Sequence, residues 1–357
     1  MNSKERTLIT VNLGIPDQIP VFVDMVPELA AEFYKKYRLS GNELLTFLGN
    51  DLAVCTFGVA SSFGTMTDGE VDEWGIKWKR IKHGKGFYNE ISEKPLSSAT
   101  FGDLIKLKIP DAEEESRYSE IAGLVSGFGE KFAIMVDMSC TIFELSWYMR
   151  GMDKLLMDMV QNSRFVDTLM DRILEFYIPA GKKIAGMGVD IIWTGDDLGM
   201  QTGMMMSPDM FRRFIKERYR LLISEIKKSN RNIKIAFHSD GYITPIIEDL
   251  IEIGVDILNP VQPKCMDPKE IKDRFGQRIC FMGTIDEQEV LPFGSIEDLK
   301  KEIDTRIESV GYNGGLIIGP THNIQNDTSM EKVEFLFSYI KEKGKFPILN
   351  PNFLKVK

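Results

Sequence analysis

The strongest constraint on this fold is an order of patterns repeated between Val189 and Gln262. Three apolar runs lie there: Val189-Asp-Ile-Ile-Trp-Thr-Gly-Asp-Asp197, Ile233-Lys-Ile-Ala-Phe-His-Ser-Asp-Gly241 and Val255-Asp-Ile-Leu-Asn-Pro-Val-Gln262. Each has the length of a strand, and each ends in polar residues. The stretches between them are helical. The first opens with Ser207-Pro208, an N-cap followed by proline in the first turn. Strand-helix-strand repeats make parallel sheets and gather the polar residues of the strand C-termini at one rim. Barrels and open α/β sheets hold their ligands there.

The rest of the chain extends the alternation. Gly14 to Val23 reads as a turn and a short buried strand, followed by helices over 27–37 and 40–48 and a strand over Asn50–Phe57. A helix over 118–127 leads to the strand Ala133–Met138, then to helices over 141–150, 153–160 and 164–186. After Gln262, Asp267 starts a helix to Phe275, Ile279–Ile285 is a strand, and Ser295 caps a helix to about Val310. Gly315–Gly319 is the last strand, and a helix from Ser329 to Lys343 is stopped by Gly344. Seven or eight strands in this order predict an α/β fold: one (β/α)8 TIM-barrel domain over residues 1–357. An open doubly wound sheet is the alternative, but its glycine-rich phosphate fingerprint is missing. Residues 70–92 break the rhythm. Trp74–Ile81 and Phe87–Ile91 alternate apolar and polar residues around His83-Gly-Lys-Gly86, which predicts an added β-hairpin over one end of the fold.

The net charge of −9, with both signs mixed along the helices, offers no basic face for nucleic acid. No run reaches the length of a membrane span, and the first residues lack the apolar core of a signal peptide. Four cysteines (Cys55, Cys140, Cys265, Cys280) are scattered without CxxC spacing. These features predict a soluble, reduced, cytoplasmic protein without a nucleic-acid or membrane partner.

There are only three histidines, and two directly follow strands. His238 and Asp240 are two apart and point to one side of an extended chain. His322 closes Gly319-Pro-Thr-His-Asn323, just past the last strand. Barrel closure brings such strand ends to one mouth, so His238, Asp240 and His322 are the candidate catalytic cluster. Two imidazoles and a carboxylate with an open position suit a zinc ion. Without metal, the same residues are hydrogen-bonded rim groups, with Asp240 orienting a histidine as general acid. Asp196 and Asp197 follow the Val189 strand and face opposite ways if extended, so at most one reaches the mouth. Asn259 and Gln262 end their strand with amides that can orient a polar ligand or tie loops. Gly199 and Gly203 predict a loop able to move over the site. Glu144 and Arg150 read equally as an internal ion pair or as catalytic groups. Cys265 is an extra soft ligand or a free thiol, and His83 is a solvated turn residue.

At these residues the sequence resembles the uroporphyrinogen decarboxylase superfamily, which includes corrinoid-linked methyltransferases. The resemblance runs in order through Gly14-Ile-Pro-Asp-Gln-Ile-Pro-Val21, Asp72-Glu-Trp-Gly75, Gly195-Asp-Asp-Leu-Gly199 with Ser207-Pro208, His238-Ser-Asp-Gly241, Asn259-Pro-Val-Gln262, Gly283-Thr-Ile-Asp286 and Pro320-Thr-His-Asn-Ile-Gln325. It implies a distorted TIM barrel with its site at the strand C-termini. Asn323 and Gln325 join Asp196, Asp197, Asn259 and Gln262 as candidate substrate contacts. Porphyrinogen decarboxylases hold substrate carboxylates with an Arg-Gln-Ala-Gly-Arg motif after the first strand; here that place reads Asp24-Met-Val-Pro-Glu28, without arginine. The methyltransferase branch serving coenzyme M carries zinc on His-x-Cys and a later cysteine. The matching positions here are His238, Asp240 and His322, a harder set without sulfur. The implied activity moves a methyl group between a small methylated compound or thiol and a corrinoid. A partner protein would carry the corrinoid and dock over the strand C-termini, since this chain lacks an Asp-x-His-x-x-Gly signature for holding cobalamin. The alternatives are a decarboxylase of a small carboxylated substrate and a non-catalytic ligand-binding barrel.

Overall fold

The computed structural model describes residues 1–58, 67–83 and 86–348. The strands are β1 (Leu52–Thr56), β2 (Lys77–His83), β3 (Gly86–Glu93), β4 (Ala133–Asp137), β5 (Ile191–Gly195), β6 (Lys234–His238), β7 (Ile257–Asn259), β8 (Cys280–Met282) and β9 (Leu316–Ile317). β1 and β4 to β9 form one parallel sheet in chain order. Each crossover between its strands carries helix, as right-handed parallel connections require.

The period of two along each strand divides the apolar residues into two clusters. Leu52, Ala133, Met135, Ile191, Ala236, Ile257, Cys280, Met282 and Ile317 pack together inside the ring. Their neighbours one residue away, such as Ala53, Ile134, Ile192, Ile235, Leu258 and Phe281, face the helices in a second and larger cluster. The register carries the inward set across the sheet, since Leu52 pairs with Ala133, Met135 with Ile191 and Ala236 with Ile257. A parallel sheet apolar on both faces needs cover on each; here one face covers itself by curling inward and helices cover the other.

The gap between β9 and β1 is filled by residues 20–26, the short buried strand read from the sequence. Ile318 donates its N–H to the Pro20 carbonyl and accepts from Phe22 N–H at 2.9 and 3.0 Å, and Ile324 does the same with Asp24 and Val26. Toward β1 the stitching is done largely by side chains. The Asn50 amide accepts from Val23 N–H and donates to its carbonyl, both at 2.8 Å, and Asp51 Oδ2 accepts from Val21 N–H. The barrel therefore closes through one irregular member.

The sequence reading missed a helix at Ser3–Val11, although the signal was present. Asn2 and Glu5 form a capping box, each side chain bonded to the other's backbone N–H. This helix crosses the strand N-termini, where Val11 and Leu13 join the interior cluster and seal the floor. The expected hairpin is present as antiparallel β2 and β3, although its turn residues Gly84 and Lys85 lie outside the described residues. Trp78 of β2 packs edge-on against Tyr148 with ring centroids 5.9 Å apart, so the hairpin covers the end of the barrel that bears the strand C-termini. Among the described residues no helix is long and apolar enough to cross a membrane.

Candidate active site

The inward parity that builds the apolar interior continues past the strand ends, where the residues become polar. Phe22 and then Asp24, Thr56 of β1, Asp137 of β4, Trp193 of β5, His238 of β6 and Asn259 of β7 all occupy inward positions. They line one cavity of about 490 Å³ together with Cys140, Glu144, Tyr148, Asp197, His322 and Asn323. Thr56 pairs with Asp137, Asp137 with Trp193, and His238 with Asn259, so the polar layer is a ring of register partners.

His238, Asp240 and His322 meet as their strand-end positions predict. One ligand atom from each lies within 4.8 Å of the others, and the two imidazole centroids are 6.2 Å apart. The tautomer follows from a neighbour. Asn259 Nδ2 donates to the Met282 carbonyl at 3.0 Å, which turns its Oδ1 to His238 Nδ1 at 2.7 Å. Nδ1 must therefore carry a proton, and Nε2 is the nitrogen left to exchange a proton or meet a ligand. Among the described residues Asp240 Oδ1 is buried without a hydrogen-bond partner. An orphaned carboxylate oxygen beside two imidazoles is a donor set that fits zinc.

The electrostatics of the site are dominated by acid. Burial disfavours a charged His238, but the carboxylates of Asp240, Asp197 and Glu144, with Asn259, outweigh it and raise its pKa to about 9. Burial lowers the pKa of His322 and raises that of Asp240. Asp24 rises to about 6 through burial and the nearby Asp137, and burial also raises Asp137. Glu144 reaches about 8 through burial beside Asp197 and Asp196. Among the described residues no lysine or arginine lines the cavity.

The two adjacent aspartates divide their work. Asp197 faces the cavity, accepts from Asp240 N–H at 2.8 Å and stands 3.6 Å from His238 Nε2. Asp196 was expected among the substrate contacts, yet it is fully buried away from the cavity. Its carboxylate accepts from the N–H groups of Ile142, Phe143 and Glu144 and from the Tyr219 hydroxyl at 2.6 Å. That is loop anchoring. Asn259 and Asn323 line the cavity, whereas Gln262 and Gln325 do not. Gln262 Oε1 accepts from Gly241 N–H at 2.6 Å and holds the turn after His238; exposed Gln325 donates to the Asn323 carbonyl.

Three other expectations change. Glu144 does not pair with Arg150: it accepts from the Tyr148 hydroxyl and from Asp197 N–H, while Arg150 binds Asp158 and the carbonyls of Leu96 and Ala99. Gly199 is a contact point and no hinge. Its backbone packs on Gly241, and a Cβ would lie 2.5 Å from the Asp240 carbonyl oxygen. Cys265 sits beside Gln201 and Gln262, outside the His–Asp–His group. The sequence reading passed over Asp24, Asp137 and Trp193 as site residues, although each lies in or next to a predicted strand at inward parity. Tyr148 had no such signal, because its helix reaches the cavity only through packing.

A ring of parallel strands with a deep polar cavity at their C-termini, an imidazole with one free nitrogen and an orphaned carboxylate beside it has the layout of a barrel enzyme. The chain belongs to the uroporphyrinogen decarboxylase family, whose model, described as Uroporphyrinogen decarboxylase (URO-D), matches residues 83–343. A uroporphyrinogen decarboxylase of Trichodesmium erythraeum (strain IMS101) is 31% identical over 137 residues, which are 38% of this chain and 37% of that protein's length. The solved structure of a methyltransferase from Methanosarcina mazei matches with a TM-score of 0.73 at 18% identity, covering 96% of this chain and 99% of that one. At that identity the likeness is one of fold.

Proposed function

We propose that this protein is a methyltransferase that moves a methyl group between a small methylated compound and a corrinoid carried by a partner protein. The observation that carries the reading is the His238–Asp240–His322 group facing a cavity with no lysine or arginine among its described lining residues. A porphyrinogen presents several carboxylates, and here they would meet Asp24, Asp137 and Asp197 with no lysine or arginine among the described lining residues to bind them. The same repulsion disfavours decarboxylation of a smaller acid. The fold likeness to a protein named as a methyltransferase supports the same choice.

In this reading His238, Asp240 and His322 would hold a zinc ion, which when bound would supply a Lewis acid for a substrate oxygen or thiol. The protein's own contribution is orientation. Asn259 fixes the His238 ring, Gln262 holds the turn that carries Asp240, and Asp197 ties that turn to β5. The mouth of the cavity is where a corrinoid domain would dock.

Two measurements test this. The first is zinc content of protein purified without chelator, for the wild type, His238→Ala and His322→Ala. Full zinc in both variants removes the ligand assignment, and the expected result is loss of most of it. The second follows the spectrum of cob(I)alamin with purified protein and a panel of methyl ethers, methylamines, methyl thioethers, quaternary ammonium compounds and sulfonium compounds. Conversion to the methylated form, abolished in both variants, is expected; no change across the panel overturns the reading.

A further inference from the structure

The cavity also specifies the charge of its ligand. We infer that the group carrying the transferable methyl is a cation, a quaternary ammonium or sulfonium, seated between the Phe22–Trp193 floor and the carboxylates of Asp24 and Asp137. This deepens the methyltransferase reading and rests on it for the reaction, though not for the binding.

Geometry carries the argument. Phe22 and Trp193 meet edge to face with centroids 5.8 Å apart at the top of the apolar interior, and the Trp193 ring lies 5.6 Å from that of His238. Asp24 is two residues beyond Phe22 on the same inward parity, and Asp137 is the register partner of Trp193. Both carboxylates therefore stand directly beside the aromatic floor. Neither forms an ion pair among the described residues; Asp24 accepts from Met25 N–H and Asp137 from Ser139 N–H. Both side chains are half-buried in the cavity wall, held away from bulk water with no lysine or arginine among the described lining residues. Aromatic faces together with uncompensated carboxylates attract a methylated onium ion, which cannot donate a strong hydrogen bond and needs only a negative, apolar shell.

The imbalance persists if zinc is present. A dication on His238, Asp240 and His322 leaves one net positive charge, against the lining carboxylates Asp24, Asp137 and Asp197, Glu144 being mostly protonated near neutral pH. A hydroxyl or carboxylate elsewhere on the same substrate would turn toward the histidines. In the transfer, the carbon–nitrogen bond breaks with its electron pair remaining on nitrogen, giving the neutral tertiary amine. The electron pair of the partner's cob(I) corrinoid forms the new bond to carbon, so cobalt is oxidised formally by two electrons as it takes up the methyl group. A quaternary donor needs no proton for its leaving group.

Calorimetric titration with choline and with 3,3-dimethylbutan-1-ol, its neutral isostere of the same shape, isolates the charge. Choline is expected to bind at least about ten-fold more tightly. Asp24→Asn and Asp137→Asn should each remove most of that preference while leaving affinity for the neutral isostere unchanged, which also reports an intact pocket. Equal affinities, or no binding of choline where the isostere binds, each overturn the inference. The cob(I)alamin assay separates the two proposals. Methyl transfer from neutral ethers with no cation preference leaves the methyltransferase reading standing and removes this one. Choline-selective binding with no transfer from any donor does the reverse.

Discussion

His238 owes its free nitrogen to a neighbour, Asn259, which owes its own orientation to the carbonyl of Met282 one strand further round. A single side chain thus depends on a relay across three strands. Charge is handled at the same scale by burial. Lys272 lies on the helix Pro268–Phe275, fully inside, with its ammonium donating to the Gly314 carbonyl at 2.7 Å, and burial pushes its pKa from 10.5 down to about 8. Below pH 8 both folded and unfolded chains carry this charge, so the folded state bears the whole desolvation cost. Between pH 8 and 10.5 the unfolded chain still holds the proton while the folded one has released it, so this residue's contribution to stability rises with pH. Lys272→Met should remove that rise. Urea unfolding at pH 7 and pH 10 should show the variant's advantage over the wild type shrinking by about 2–3 kcal/mol. An identical pH response in both proteins would mean that the lysine reaches water.

Elements meet in this barrel at points where only backbone fits. The loop after β5 and the turn after β6 cross at Gly199 and Gly241, and Tyr242 N–H donates to the Met200 carbonyl at 2.8 Å across the contact. This crossing fixes Asp197 and Asp240 relative to each other. Gly199→Ala would set a methyl group 2.5–2.7 Å from three backbone atoms of residues 240–242, none of which can swing away. A loss of about 3 kcal/mol or more is expected by thermal or urea unfolding. Gly203→Ala, with nothing within 4 Å of the added carbon, should stay within about 0.5 kcal/mol of the wild type. Similar losses in both would point to loop flexibility as the reason for the glycines. The sequence marked both glycines and could not separate them, because a hinge and a close contact require the same residue.

Closure of the whole ring rests on residues 20–26, held to β1 through Asn50 and Asp51 where a continuous ladder would otherwise run. Asp51 also accepts from Arg6 Nη1 at 2.7 Å, which ties the floor helix to the same seam. Asn50→Ala leaves a buried N–H and a buried carbonyl of Val23 unanswered. The expected cost is about 3 kcal/mol in urea unfolding, and Asn50→Asp should recover part of it by keeping the acceptor for Val23 N–H. A loss under about 1 kcal/mol would show that the seam closes through β9 alone. The sequence by itself determined the barrel order, the hairpin, most helix ends and the convergence of His238, Asp240 and His322, because periodicity and strand parity are local and survive into the fold. Only the tertiary structure decided which of Asp196 and Asp197 meets the cavity, what Gly199 does, and that Glu144 turns to Tyr148 and leaves Arg150 to Asp158. Those outcomes depend on which buried group finds a partner, and the partners come from strands and helices distant in the chain.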